Sequence, residues 1–384
     1  MKTIFNEDRF SGLHTPFYYY DIDLLRKTLS VIAHESAKYN FHVHYAVKAN
    51  ANDRILDEIC KAGFGADCVS GYEVQKAYEM GFSKGGIVFA GVGKSDWEIN
   101  IGLDHKISCF NVESIPELEI INELAGVKGV KANVALRINP NVNANTHHYI
   151  TTGLEENKFG INIWDLEKVV EVMRTLENIH FHGIHFHIGS QITDLHTFQE
   201  LCIRVNELQK WFVDHQLLPK IVNVGGGLGV DYHNPDGIPI PDFAAYFSLF
   251  NNFVDLMPGQ ELHFELGRAV VAQCGSLMAR VLYIKEGVNT NFAIIDAGMN
   301  DLIRPALYQA YHKIENISSQ QTSQKYDVVG PICESSDCFG KAVELPATRR
   351  GDMIAIRTAG AYGEVMASQY NLRKFPAAVY SDSL

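Results

Sequence analysis

The chain has 384 residues, 46% hydrophobic and 20% charged, which is enough to bury a sizeable core and excludes large-scale disorder. The 33 Lys and Arg against 45 Asp and Glu leave a net charge of −12, so nucleic acid is a poor general partner, although a local basic pocket can still hold a small anion. Seven cysteines without a CxxC, an opening MKTIFNEDRFSG without an apolar core, and no apolar run near the roughly 20 residues that span a bilayer describe a soluble protein of the reducing cytoplasm, with no membrane partner.

Taken in chain order, FYYYD (17–21) reads as a strand, and eight short β-rich runs follow. They are 42–48 (HVHYAVK), 66–70 (ADCVS), 87–92 (IVFAGV), 108–112 (SCFNV), 134–139 (VALRIN), 182–188 (HGIHFHI), 221–224 (IVNV) and 262–265 (LHFE). Amphipathic stretches such as 53–62, 73–80 and 166–176 separate them, which predicts eight β-then-α units and a (β/α)8 TIM-type barrel. From about residue 269 the pattern becomes short strands and turns, an all-β signature with helix expected only over 303–312. The expected layout is α/β plus all-β: a barrel over 22–267, and a β domain built from 1–21 and 268–384.

In such a barrel, reacting groups gather at the C-terminal strand ends. Run one ends in Lys48, whose amine becomes a nucleophile toward a carbonyl when partly desolvated; a lone lysine at a strand end is more often only a surface group. Run seven ends in Gly225, Gly226 and Gly227, where a backbone without Cβ atoms can receive an anion, or simply make a tight turn. Run eight ends in Glu265, expected beside Lys48 on barrel closure, either as its ion partner or as partner to a protonated heterocyclic nitrogen. Run six carries His185, more simply a hydrogen-bonded core histidine, and His187, which can stack on a planar ring. Lysine nucleophile, phosphate cradle, stacking histidine and ring-nitrogen carboxylate together describe a site for pyridoxal 5'-phosphate.

HYAVKAN, GADCVSG, HFHIGSQ, NVGGGLG, DAGMNDLIRPALY, GPICESSD and AGAYGEVMASQYN resemble the diaminopimelate decarboxylase family of fold-type III pyridoxal phosphate enzymes, from about Pro16 to about Val379. The resemblance implies an alanine-racemase-like architecture and decarboxylation of meso-2,6-diaminopimelate to L-lysine and carbon dioxide, the last step of lysine synthesis. By the same resemblance Lys48 forms the Schiff base, His187 stacks on the ring, and Gly225, Gly226 and Gly227 hold the phosphate. Glu265, Leu266, Gly267 and Arg268 line the cofactor, with Asp67 and Ser190 further pocket positions. Arg268, Arg304, Tyr308 and Glu334 bind substrate, Tyr362 touches both cofactor and substrate, and Cys333 is the proton donor. The loop carrying Cys333 crosses from a partner subunit in that family, which implies a homodimer with shared active sites.

Leu266 stands where the family usually has proline; leucine frees φ and restores an N–H without removing a reacting group. An Arg304 fork suits a distal carboxylate and argues against a decarboxylase of another basic amino acid or a carboxylated polyamine. A metal-dependent barrel hydrolase using His185 and His187, and a non-catalytic cofactor-binding protein, are the readings of other classes; no metal is expected. The sequence does not settle whether the loop near 145–149 closes over substrate.

Overall fold

The computed structural model describes residues 5, 7–10, 12–82, 86–142 and 158–384; the loop at 145–149 lies outside them. Strand β1 (Phe17–Tyr20) comes first. It is followed by β2 (His42–Ala46), β3 (Gly65–Cys68), β4 (Ile87–Phe89), β5 (Cys109–Val112), β6 (Ala132–Arg137), β7 (Ile179–His185), β8 (Ile221–Asn223) and β9 (Glu261–Leu266). These eight parallel strands close into a barrel, with His42 opposite His263 and His44 opposite Glu265 across the β9–β2 seam. Each coincides with one of the expected β-rich runs. Several observed strands end earlier than their runs: Lys48 sits in a one-turn 3-10 helix (Val47–Ala49), and Asn139 and Ile188 lie beyond the ends of β6 and β7.

The helices that wrap the barrel start where short polar side chains satisfy the free N–H groups of a first turn. Asn52 accepts from Arg54 N–H, Ser70 from Glu73 N–H and Asp242 from Ala245 N–H. The helix Phe243–Phe253 shows how periodicity becomes packing. Phe243, Tyr246, Phe247 and Phe250 fall on one face and are all buried, and the rings of Phe247 and Phe250 each lie 5.0 Å from Phe264 of β9. Each such fully buried ring contributes about 1.5–3 kcal/mol, so this face alone anchors the helix to the barrel.

The remaining strands are β10 (Gly275–Glu286), β11 (Asn291–Ile295), β12 (Ile314–Asn316), β13 (Ser323–Val329), β14 (Cys338–Pro346), β15 (Met353–Ile356) and β16 (Ala377–Tyr380). They form one sheet in the order β12-β15-β10-β11-β13-β14, which β1 joins by pairing with β10 and with β16. The chain divides into two compact units, one of Leu29–Gly229 and Asp242–Gly267, the other of Met1–Thr28, Val230–Pro241 and Arg268–Leu384. Val230–Pro241, an excursion between β8 and the Phe243 helix, was not separated from the barrel by its sequence. The helix expected over 303–312 spans only Arg304–Tyr308, because Gln309 takes a left-handed conformation (φ 53°) that ends it. No helix among the described residues is long and apolar enough to cross a membrane.

Candidate active site

The barrel unit presents a cavity of about 400 Å³ at the C-terminal strand ends, lined among others by Lys48, Arg137, Phe159, His185, His187 and Glu265. Lys48 is held there by its turn. Tyr45 Oη donates to the Asn50 carbonyl at 2.9 Å, Asn50 N–H donates to the Val47 carbonyl at 3.1 Å, and Asn52 N–H donates to Asn50 Oδ1 at 2.9 Å. Lys48 Nζ lies 3.7 Å from Asp67 Oδ2. Asp67 is 1% exposed, and among the described residues neither carboxylate oxygen has a hydrogen-bond partner. Burial, and then the charge of Glu265, push this carboxyl well above the usual range, against the pull of Lys48.

Glu265 has the opposite environment. Asn111 and Asn223 both donate to its Oε1, at 3.1 and 2.8 Å, and His185 Nε2 donates to Oε2 at 2.9 Å. Burial alone would raise its pKa, but the charge and hydrogen bond of His185, followed by the charge of Lys48, hold it below the usual carboxylate range. His185 is thereby committed to Glu265 at Nε2. His187 is kept neutral by burial and by the charges of Lys48 and Arg137, and its Nδ1 accepts from Gly226 N–H at 3.4 Å. Its proton therefore sits on Nε2, and it presents a flat, uncharged ring at the cavity wall.

The glycine run is a matter of room. A Cβ on Gly226 would lie 1.9 Å from the Glu265 carbonyl oxygen, and Gly225, at φ 69°, has the Phe186 carbonyl 2.2 Å from where its Cβ would be. Gly225 N–H already donates to Asn223 Oδ1, so the run does not offer three vacant donors. Leu266 is buried within β9, opposite Tyr45, and Ser190 is partly buried in the loop after β7.

The β unit carries a second cluster. Arg268 donates to Tyr232 Oη at 2.6 Å and lies 4.9 Å from the Tyr362 ring centre. Arg304, 7% exposed, is faced by Tyr232, Tyr308 and Tyr362 at 5.7, 5.9 and 6.0 Å. Arg304 Nε donates to His312 Nε2 at 3.4 Å, while His312 Nδ1 donates to the Arg357 carbonyl at 2.9 Å. Burial and the Arg304 charge push His312 down to about 3, so it is a neutral acceptor. Among the described residues no carboxylate pairs with Arg304, and its two terminal nitrogens make no hydrogen bond. Burial, and the neighbouring Arg268 charge, lower its pKa, so the pair of cations calls for an anion. Tyr362 is held at φ 57°, a conformation non-glycine residues rarely adopt. Cys333 and Glu334 are exposed on the same unit: Cys333 N–H donates to Asn371 Oδ1 at 3.4 Å, and Tyr370 Oη to Glu334 Oε1 at 2.7 Å.

Several contributors were not singled out from sequence. Arg137 ends β6 and pairs with Glu113, whose oxygens also take the N–H groups of Gly91 and Gly160. Lys94, with 1% of its side chain exposed, donates to the carbonyls of Gly91 and Asn111 and to Glu117. Arg137 lies inside the run 134–139, so the strand-end rule did not reach it, and Asn111, Asn223, Tyr232 and His312 carried no local signal.

These residues fit pyridoxal phosphate. An amine stands beside a buried carboxylate whose oxygens lack hydrogen bonds. A second carboxylate is held ionised by three donors, a neutral imidazole faces the cavity, and the glycine run packs so closely on neighbouring backbone that no side chain covers it. A family model described as the pyridoxal binding domain of pyridoxal-dependent decarboxylases matches residues 24–272. The chain is 60% identical to diaminopimelate decarboxylase of Bacteroides thetaiotaomicron, over the full length of both, and 42% identical to that of Vibrio cholerae, over 96% of this chain and 88% of the relative. The crystal structure of diaminopimelate decarboxylase from Helicobacter pylori complexed with L-lysine superposes with a TM-score of 0.92 at 40% identity, covering 98% of this chain and 94% of that one. A closed eight-stranded barrel with a β unit, a cavity built around Lys48 and Glu265, and full-length identity of this degree lead to one conclusion: the chain belongs to the diaminopimelate decarboxylase family of pyridoxal-dependent decarboxylases.

Proposed function

We propose that this chain binds pyridoxal 5'-phosphate at the barrel mouth and converts meso-2,6-diaminopimelate to L-lysine and carbon dioxide. The observation that carries the cofactor reading is Glu265, fixed by Asn111, Asn223 and His185 in the form that accepts a proton-bearing ring nitrogen. Bound there, the cofactor supplies a conjugated cation that takes up the electron pair freed when a carboxylate leaves. Lys48 provides the amine that attaches it, with the Asp67 carboxyl beside that amine. His187 offers its neutral face, and Gly225, Gly226 and Gly227, whose backbone no side chain covers, would hold the phosphate. Ser190, Gly267 and Arg268 complete this reading of the cofactor pocket.

The substrate reading rests on the β unit. Diaminopimelate has an amine and a carboxylate at each end, so the non-reacting end needs a cation and an anion. Arg304 has terminal nitrogens without hydrogen bonds and can fork onto the distal carboxylate, with Tyr308, Tyr362 and Arg268 around it. Glu334 would take the distal ammonium, and the Cys333 thiol would deliver a proton to the carbon that carbon dioxide leaves. Both are exposed, which suits groups that complete a site in a second copy of the chain, so we read the working form as a homodimer with shared sites. All seven cysteines are free, which supports a cytoplasmic setting.

The test is borohydride reduction of the cofactor-loaded protein followed by peptide mapping, together with carbon dioxide release measured from diaminopimelate, L-lysine and L-ornithine, and lysine as the product of the first. The reduced adduct is expected on Lys48, with diaminopimelate strongly preferred. No adduct at Lys48 overturns the cofactor reading, and a preference for ornithine overturns the substrate reading.

A further inference from the structure

The opposite end of the barrel carries chemistry the reaction does not use. His42 and Glu261 open β2 and β9, and His263 is the Cα partner of His42 across the seam that closes the barrel. Residues two apart on a strand share a face, so Glu261, His263 and Glu265 form one column and His42 and His44 another. Glu265 tops its column at the cavity, which places Glu261 and His263 on the barrel floor beneath it.

A chain of hydrogen bonds fixes the tautomers there. The Gly86 carbonyl can only accept, so His44 Nδ1, 2.9 Å away, carries the proton. His44 is 4% exposed, which disfavours its charged form, so its Nε2 accepts and the partner at 2.9 Å, His263 Nδ1, donates. That leaves the lone pair on His263 Nε2, 3.3 Å from Glu261 Oε2, which is also an acceptor. Two acceptors facing each other at that distance repel unless something positive lies between them. His42 Nε2 is 3.9 Å from the same oxygen, and the three donor atoms all fall within 4.8 Å of one another. Ligand atoms around a tetrahedral ion with bonds of about 2.0–2.1 Å stand about 3.3 Å apart, so the His263–Glu261 edge already has that length. His42 is half exposed and its ring can turn inward to complete the set. His182 of β7, within electrostatic reach of both His263 and Glu261, has a buried Nδ1 with no hydrogen-bond partner among the described residues.

We propose that His42, Glu261 and His263 bind one divalent transition-metal ion of the zinc type, which staples the first barrel strand to the last. Two imidazoles and one carboxylate are a donor set that suits zinc, cobalt and nickel, with water on the exposed side. His44 acts as the outer partner that orients His263, its hydrogen bond holding the metal-facing nitrogen unprotonated. The site is at the far end of the barrel from Lys48, and its role is structural.

The experiment uses tag-free holoenzyme. Zn²⁺ binding is measured by calorimetry, Co²⁺ binding by its visible d–d bands, and Tm is followed with each metal. The wild type should bind one Zn²⁺ per chain with micromolar affinity and gain about 2–4 °C in Tm at saturation. His42→Asn and Glu261→Gln should each weaken binding at least about tenfold, with lysine production unchanged. Cys333→Ser should bind Zn²⁺ as the wild type does, which separates this site from the exposed thiol. Absence of Zn²⁺ binding to the wild type, or undiminished binding in both His42→Asn and Glu261→Gln, overturns the proposal; the first outcome would mean that a proton on His263 bridges to Glu261 instead. Binding is read without turnover, so the result stands whichever substrate the enzyme takes.

Discussion

Replacing Arg304 by alanine separates recognition of the distal carboxylate from support of the fold. The guanidinium is buried, has His312 on Nε, and its two terminal nitrogens make no hydrogen bond among the described residues, as the proposed contact to a substrate carboxylate requires. Two charge-assisted hydrogen bonds at about 1.5–3 kcal/mol each bound the loss at about 3–6 kcal/mol. Arg268, in the same cluster, keeps some attraction for the anion, so about 3–4 kcal/mol is expected, which is a fall of about 10²–10³-fold in kcat/KM on diaminopimelate. The fold should not suffer equally. Arg304 is a buried cation beside a second cation and without a carboxylate partner among the described residues, so Tm should stay within about 2 °C of wild type. Arg304→Lys keeps the charge but loses the fork and should fall between the two. The assay is lysine formation from diaminopimelate, set beside turnover of L-lysine, which lacks the distal carboxylate and should be affected only a few-fold. A loss below about fivefold on diaminopimelate, or equal losses on both substrates, would refute the carboxylate assignment.

Three further outcomes are expected. Gly226→Ala puts a Cβ against the backbone of β9 at Glu265, where nothing flexible can yield; cofactor absorbance and activity should both be lost, and near-wild-type values would show that the glycine run is only a turn. His312 stays neutral in the fold because burial and Arg304 lower its pKa to about 3 from 6.5. Its contribution is thus complete above pH 6.5 and is lost as pH falls from 6.5 toward 3, amounting to about 2 kcal/mol at pH 5. Urea unfolding at pH 7 and pH 5 should show that excess drop in wild type and not in His312→Gln, and identical drops would reject the mechanism. Cys333→Ala should lower lysine formation by about 10²-fold or more with little change in Tm, because the thiol is exposed. Equal mixing of subunit-exchanged Cys333→Ala and Lys48→Ala chains should restore about a quarter of wild-type activity if sites are shared, since half of the dimers would have one intact site; no recovery would place both groups in one chain's site.

The eight barrel strands were legible because each is a short β-rich run bounded by turn chemistry, and because the helices between them keep their apolar residues on one face, as Phe243, Tyr246, Phe247 and Phe250 do. Lys48, the glycine run and Glu265 followed from the strand-end rule. The same rule passed over Arg137, which lies inside the run 134–139 and reveals nothing until Glu113 is seen beside it. The short helix Arg304–Tyr308 was over-read, because periodicity does not show that Gln309 turns left-handed. The excursion Val230–Pro241 and its Tyr232 were missed for a similar reason: twelve residues between two barrel elements look like any loop.

The amino-acid order by itself determined the architecture and the kinds of reacting group, because strand and helix periods and turn residues act over a few neighbouring positions. Only the tertiary structure decided the charge states. Asp67 and Glu265 are both buried acids, yet among the described residues one has no hydrogen-bond donors and the other has three, brought from positions 111, 185 and 223. The barrel floor is the same case: the facing acceptors of His263 and Glu261 exist only because closure sets β9 against β2 and Gly86 orients His44. Protonation depends on which dipoles stand within hydrogen-bond reach, and that reach is created by folding rather than by nearness along the chain.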